Sequence, residues 1–133
     1  MLVHASCVQW QNKGILFLGD SGCGKSSAAL KLIEKGAHLI ADDYTQVSAD
    51  LIATCPDTTF GKIEVRGVGI VEFPALKSTQ IDLAVICSPN FKEIERIPLE
   101  KKWAVGQKSV PLFYLNAFED LFCLKVDLLL KQI

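Results

Sequence analysis

The order of apolar and polar residues along this chain predicts many short strands and two helices. Leu2 to Trp10 mixes apolar and β-branched residues with polar ones. Asn12-Lys13-Gly14 then supplies turn chemistry ahead of the apolar run Ile15-Leu16-Phe17-Leu18, so a β-hairpin with a buried second strand is expected. Gly19 to Gly24 is too rich in glycine for a regular element. From Lys25 to Lys35 the residues Ala28, Ala29, Leu32 and Ile33 recur at helical spacing, and Gly36 is placed to close that helix as a left-handed residue.

Strands are expected at His38 to Ala41, Tyr44 to Val47, Leu51 to Cys55, Lys62 to Arg66 and Val68 to Phe73. The clearest is Ile81 to Cys87, bounded by the loop signal Ser88-Pro89-Asn90. Leu99 to Val105 and Val110 to Leu115 read as one more strand pair. A last helix is expected behind a capping box of Asn116 and Glu119, with Ala117, Leu121, Leu124, Leu128 and Leu129 as its core-facing stripe. No repeat, low-complexity segment or flexible linker divides the sequence, so residues 1–133 read as a single α/β domain.

Composition narrows the classes. Half of the 133 residues are apolar and 22% are charged, which is too hydrophobic for disorder. No apolar run approaches the ~18 residues of a membrane span. Fourteen basic against fifteen acidic residues leave a net charge of -1, so nothing in the charge balance points to nucleic acid or to a membrane surface. Cys7, Cys23, Cys55, Cys87 and Cys123 are scattered and form no C-x-x-C pair, so reduced thiols are expected rather than a zinc or redox site. With no secretory signal legible at the N-terminus, a cytoplasmic address is expected.

The strongest chemical signal is Gly19-Asp20-Ser21-Gly22-Cys23-Gly24-Lys25-Ser26. It meets G-x-x-x-x-G-K-[ST] between an apolar strand and a helix, the context that pattern requires. Chance produces it in a chain this long on the order of a few times in a thousand. Glycines let several backbone N–H groups turn inward, and the helix adds its positive dipole end, so the loop can cradle phosphate. Lys25 then supplies a full charge to the outer phosphates and the Ser26 hydroxyl a ligand for Mg²⁺.

Asp42-Asp43 follows the apolar run Leu39-Ile40-Ala41, where a carboxylate can coordinate Mg²⁺ or accept a proton from an attacking hydroxyl. On an extended strand neighbouring side chains face opposite ways, so only one of the two is expected to reach the phosphates unless the chain bends. In Glu64-Val65-Arg66-Gly67-Val68-Gly69, Glu64 and Arg66 share a strand face and suit a metal and a phosphate, or equally a surface ion pair. His4 shares a face with Ser6 and, on spacing alone, is an ordinary surface histidine.

Four features occur in order: His4 ahead of the hairpin, the Gly19 to Ser26 loop, the Ile40-Ala41-Asp42-Asp43 strand end, and Ile63-Glu64-Val65-Arg66-Gly67-Val68-Gly69-Ile70. Together they make the chain resemble the catalytic domain of bacterial HPr kinase/phosphorylase, in the compact form without a separate N-terminal domain. The match spans about residues 3 to 73 and, more loosely, Val110-Pro111-Leu112 to Glu119. The resemblance implies a fold like that of phosphoenolpyruvate carboxykinase. It also implies an enzyme that phosphorylates a serine of the phosphocarrier HPr with ATP and reverses the step by phosphorolysis. Position by position, Gly19, Asp20, Ser21, Gly22, Cys23, Gly24, Lys25 and Ser26 would bind ATP, and Ser26 and Glu64 would hold Mg²⁺. Asp43 would be the proton acceptor, with His4 and Lys25 completing the active-site set, and the residues themselves nominate Asp42 and Arg66 beside them. Longer members form hexamers, so homo-oligomerisation is a further expectation.

The chain departs from longer members where Phe73-Pro74 runs quickly to Ile81, and where Val110-Pro111-Leu112 continues as Phe113-Tyr114-Leu115. Both regions are associated with the phosphorylase direction and regulation. Two other readings stay open at this point: a generic P-loop NTPase or small-molecule kinase, and a regulator that binds nucleotide without turning it over.

Overall fold

The hairpin expected near the N-terminus seeds the main sheet. In the computed structural model, which describes residues 1–133 with the exception of the Asp57 side chain, β2 (Ser6–Trp10) pairs antiparallel with β3 (Lys13–Leu18). Trp10 faces Lys13, so the turn is Gln11-Asn12, both at positive φ (56° and 63°), one residue earlier than the Asn-Lys-Gly turn read from sequence. Two successive left-handed residues match the right-handed twist of the flanking strands. Leu2–Val3 (β1) separates from β2 at His4-Ala5 and pairs elsewhere.

The loop after β3 leads into α1 (Lys25–Glu34), closed as expected by Gly36 at φ 102°, with the Ala37 N–H donating back to Leu32 O. β4 (His38–Ala41) then pairs with β2. Next come β5 (Thr45–Val47), β6 (Ile52–Thr54), β7 (Lys62–Val65), β8 (Gly69–Glu72) and β9 (Ser78–Cys87), followed by β10 (Lys102–Val105), β11 (Lys108–Leu115) and α2 (Phe122–Leu130). The sheet runs β1-β5-β6-β9-β3-β2-β4, with β11 parallel to β9 and β10 on β11, while β7 and β8 form a separate two-stranded ribbon. β3, β9 and β11 are parallel and both faces of their core are covered, which explains their continuous apolar runs.

Each face carries its own buried cluster. Val8, Ile15, Phe17, Leu83 and Val85 pack against Ala28, Ala29 and Leu32 of α1 and Phe122, Val126 and Leu130 of α2. Cys7, Leu16, Ile40, Val47, Ala53 and Ala84 build the opposite side. Ile81 joins this second group although Leu83 and Val85 face the first. The register steps from Gly14↔Ile81 to Ile15↔Leu83, and Asp82 accepts the Gly14 N–H at 3.1 Å at that bulge.

The last helix differs from the sequence reading. It begins at Phe122, without a side-chain cap, not behind a box at Asn116 and Glu119. Asn116 Oδ1 instead accepts the Phe118 N–H at 2.9 Å, making a turn that ends β11 and aims 117–118 at α1. Leu121, Leu124 and Leu128 are about half exposed, whereas Phe122, Val126 and Leu130 are buried. Both helix faces are apolar, and docking of the Phe122 ring on Phe17, with centroids 5.9 Å apart, selects the buried one. No helix is long and apolar enough to cross a membrane among the described residues.

Candidate active site

The glycine-rich loop sits between the end of β3 and the first turn of α1. Gly24 directly precedes the helix at φ 111°, with no side-chain cap, so the first helical N–H groups are left for another acceptor. A β-carbon there would also lie 3.0 Å from Ala117 Cβ and 3.2 Å from the Phe118 ring, so the position needs glycine for conformation and for space. Lys25 is only 7% exposed as a residue, and its ammonium donates to Gly19 O at 2.7 Å and Asp20 O at 3.0 Å. A buried positive charge thus stands at the positive end of a helix, an arrangement that favours an anion.

Asp42 and Asp43 end β4, and the chain does bend there. Asp43 has φ 69°, and the Tyr44 N–H donates to Asp42 O at 2.8 Å. Left-handed backbone is tolerated by Asp better than by most residues. Its effect is that both carboxylates reach the same region, against the expectation for a straight strand. Asp42 Oδ1 accepts from Ser26 Oγ at 2.9 Å and from Ser6 Oγ at 2.8 Å. Asp43 Oδ1 lies 3.1 Å from His4 Nε2, and the His4 ring stacks on Tyr44 with centroids 5.1 Å apart. His4 is therefore oriented by a carboxylate and an aromatic ring, not left as a free surface group. Thr45 Oγ1 donates to Ala5 O at 2.9 Å, fastening residues 4–6 to the corner at 42–45.

The β7–β8 ribbon supplies the remaining wall. Glu64, Val65 and Arg66 line a cleft of about 580 Å³ together with His4, Ser21, Gly22, Gly24, Lys25, Ser26, Ser27, Leu30, Asp43 and Phe118. That volume suits a small-molecule ligand. Glu64 also lines an adjoining recess with Ser26, Asp42 and Asp43. No ion pair joins Glu64 to Arg66 among the described residues, so the surface-pair alternative does not hold them.

Of the loop residues nominated from sequence, Gly19, Asp20 and Cys23 do not line the cleft. The first two hold Lys25 by their carbonyls, and Cys23 is turned inward, its thiol 3.9 Å from Leu18 O. Burial pushes the neighbouring Cys87 thiol up to about 12, with Cys23 adding to the shift and Lys25 opposing it. Phe118, Leu30 and Tyr44 were not singled out from sequence: Phe118 and Tyr44 are exposed, and Leu30 is a half-buried helix residue that reads as core.

The donor set fits a hard cation. A hydroxyl and carboxylates, all oxygen, are what Mg²⁺ prefers. No three His, Cys, Asp or Glu side chains are grouped to hold a metal among the described residues, so such an ion would take most of its ligands from phosphate and water.

Fold and site together define a mixed α/β domain whose glycine-rich strand–loop–helix faces a carboxylate corner. The HPr Serine kinase C-terminal domain model matches residues 1–102, and the chain belongs to that family. Among its relatives, the HPr kinase/phosphorylase of Lachnoclostridium phytofermentans is 41% identical over 114 residues, covering 76% of this chain and 37% of that protein. The HPr kinase/phosphorylase of Clostridium perfringens is 34% identical over 127 residues, covering 93% of this chain and 39% of that protein. The chain thus spans under two fifths of the length of these relatives. Its fold is that of the Hpr(Ser) kinase/phosphatase from Coxiella burnetii, with a TM-score of 0.83 at 24% identity over 99% of this chain and 90% of the other.

Proposed function

We propose that residues 1–133 form a single catalytic domain that transfers the terminal phosphoryl group of ATP to a serine of the phosphocarrier HPr. The observation that carries this reading is one cleft lined by His4, Lys25, Ser26, Asp43, Glu64 and Arg66 at the N-terminal end of α1, in a chain of the HPr Serine kinase C-terminal domain family. The loop from Gly19 to Ser26 binds the ATP phosphates, with Lys25 supplying charge. Ser26 and Glu64 hold Mg²⁺, which when bound neutralises phosphate charge. Asp43, oriented by His4, accepts the proton of the attacking serine hydroxyl. Asp42 steadies Ser26, and Arg66 faces the phosphates.

Positioning and charge neutralisation account for most of the catalysis in such transfers, and each of these residues except the proton acceptor Asp43 has one of those tasks. In the reverse direction inorganic phosphate takes the phosphoryl group from phosphoserine. The serine P–O bond breaks, a P–O–P bond forms, and pyrophosphate leaves. Self-association of the domain belongs to the same reading, supported by the outward apolar residues Leu121, Leu124 and Leu128. A cytoplasmic address goes with ATP as donor and with five free cysteines.

Incubation with HPr, labelled ATP and Mg²⁺ tests the assignment. Phosphoserine on HPr is expected, and its complete absence overturns the reading. Asp43→Asn is expected to lower the rate by about 10² to 10⁴.

A further inference from the structure

We propose that Ser6 is a positioning residue whose hydroxyl sets the directions of both Asp42 and Asp43, an inference that rests on the function proposed above. Ser6 has no exposed surface and begins β2, where its pairing with Phe17 holds the backbone in place. Its Oγ donates its single proton to Asp42 Oδ1 at 2.8 Å and accepts the Asp43 N–H at 3.4 Å. One atom therefore touches both members of the corner.

The two bonds do different work. Asp42 Oδ1 has two donors, Ser6 and Ser26. Ser26 lines the cleft, so its hydroxyl is available to whatever the cleft holds, whereas Ser6 lies behind the wall. With Ser26 turned to a ligand, Ser6 still satisfies the Asp42 carboxylate, which is spared the penalty of standing half-buried without a donor. The second bond holds residue 43 where φ is 69°, the bend that sends its carboxylate to His4. Alanine at position 6 removes both bonds, while the Thr45 bond to Ala5 O remains to hold the strand to the corner.

The test compares wild type with Ser6→Ala and Ser6→Thr in phosphoryl transfer from ATP to HPr and in hydrogen exchange at the Asp43 amide, with the Leu16 amide as the control for global opening. Ser6→Ala is expected to lower kcat about tenfold to hundredfold while the KM for ATP moves less than about threefold. Exchange at Asp43 is expected to rise about tenfold with Leu16 unchanged. Ser6→Thr, which keeps the hydroxyl, is expected to restore both. An unchanged kcat in Ser6→Ala overturns the proposal, as does a matched loss of kcat and ATP affinity that threonine does not rescue. A wild-type chain that transfers nothing to HPr defeats the kinase reading alone. Exchange at the Asp43 amide then decides Ser6: faster exchange in Ser6→Ala upholds it, and unchanged exchange overturns it.

Discussion

Asp43 combines a left-handed backbone, a carboxylate 68% exposed and a histidine neighbour. Asn shares the tolerance of Asp for that backbone, so Asp43→Asn should retain stability within about 0.5 kcal/mol while losing phosphoryl transfer. Thermal melts run beside the HPr assay check this separation, and a large fall in stability would contradict it. Gly24 is the converse case. At φ 111°, with Ala117 and Phe118 against it, Gly24→Ala should lose ATP binding through strain in the loop, read by titration with nucleotide. Glycine at 24 was legible in the sequence because its spacing to Lys25 and Ser26 is the motif itself. The contact partner Phe118, 94 residues on, was not, because only the folded chain brings it there.

At the scale of elements, α2 separates pattern from packing. Residues 121–130 offer Leu121, Leu124 and Leu128 on one face and Phe122, Val126 and Leu130 on another, and periodicity alone does not rank two apolar stripes. Contact with Phe17 and the face of β3 and β9 decides between them. Phe122→Ala is therefore expected to cost about 3 to 5 kcal/mol, whereas Leu124→Ala stays within about 0.5 kcal/mol. Chemical denaturation of the two variants provides the comparison, and equal losses would show the face to be misassigned. The β7–β8 ribbon makes the same point for function. Its strands were legible from their β-branched residues and the glycines between them, but its place beside the glycine-rich loop depends on contacts outside the ribbon.

For the whole molecule, buried thiols predict an alkaline limit to stability. Burial raises Cys7, and burial with Cys23 beside it raises Cys87 from 9.0 to about 12. The folded state then keeps protons that the unfolded state releases, so this stability is fully present below pH 9 and is lost as pH rises toward 12. The slope is at most about 1.4 kcal/mol per pH unit for each thiol. Denaturation between pH 8 and about 11 should show the fall, and Cys87→Ala should make it shallower; an identical slope in the variant would reject the cause. The sequence alone determined the strand-rich α/β class, the glycine-rich loop and its lysine and serine, and the acidic strand end, because these depend on local spacing and backbone preference. Only the tertiary structure decided that both aspartates face one region, that His4 and Ser6 reach them from nearly forty residues away, and which face of α2 is buried. Those outcomes follow from a bend at one residue and from contacts between distant segments, and neither leaves a periodic trace along the chain.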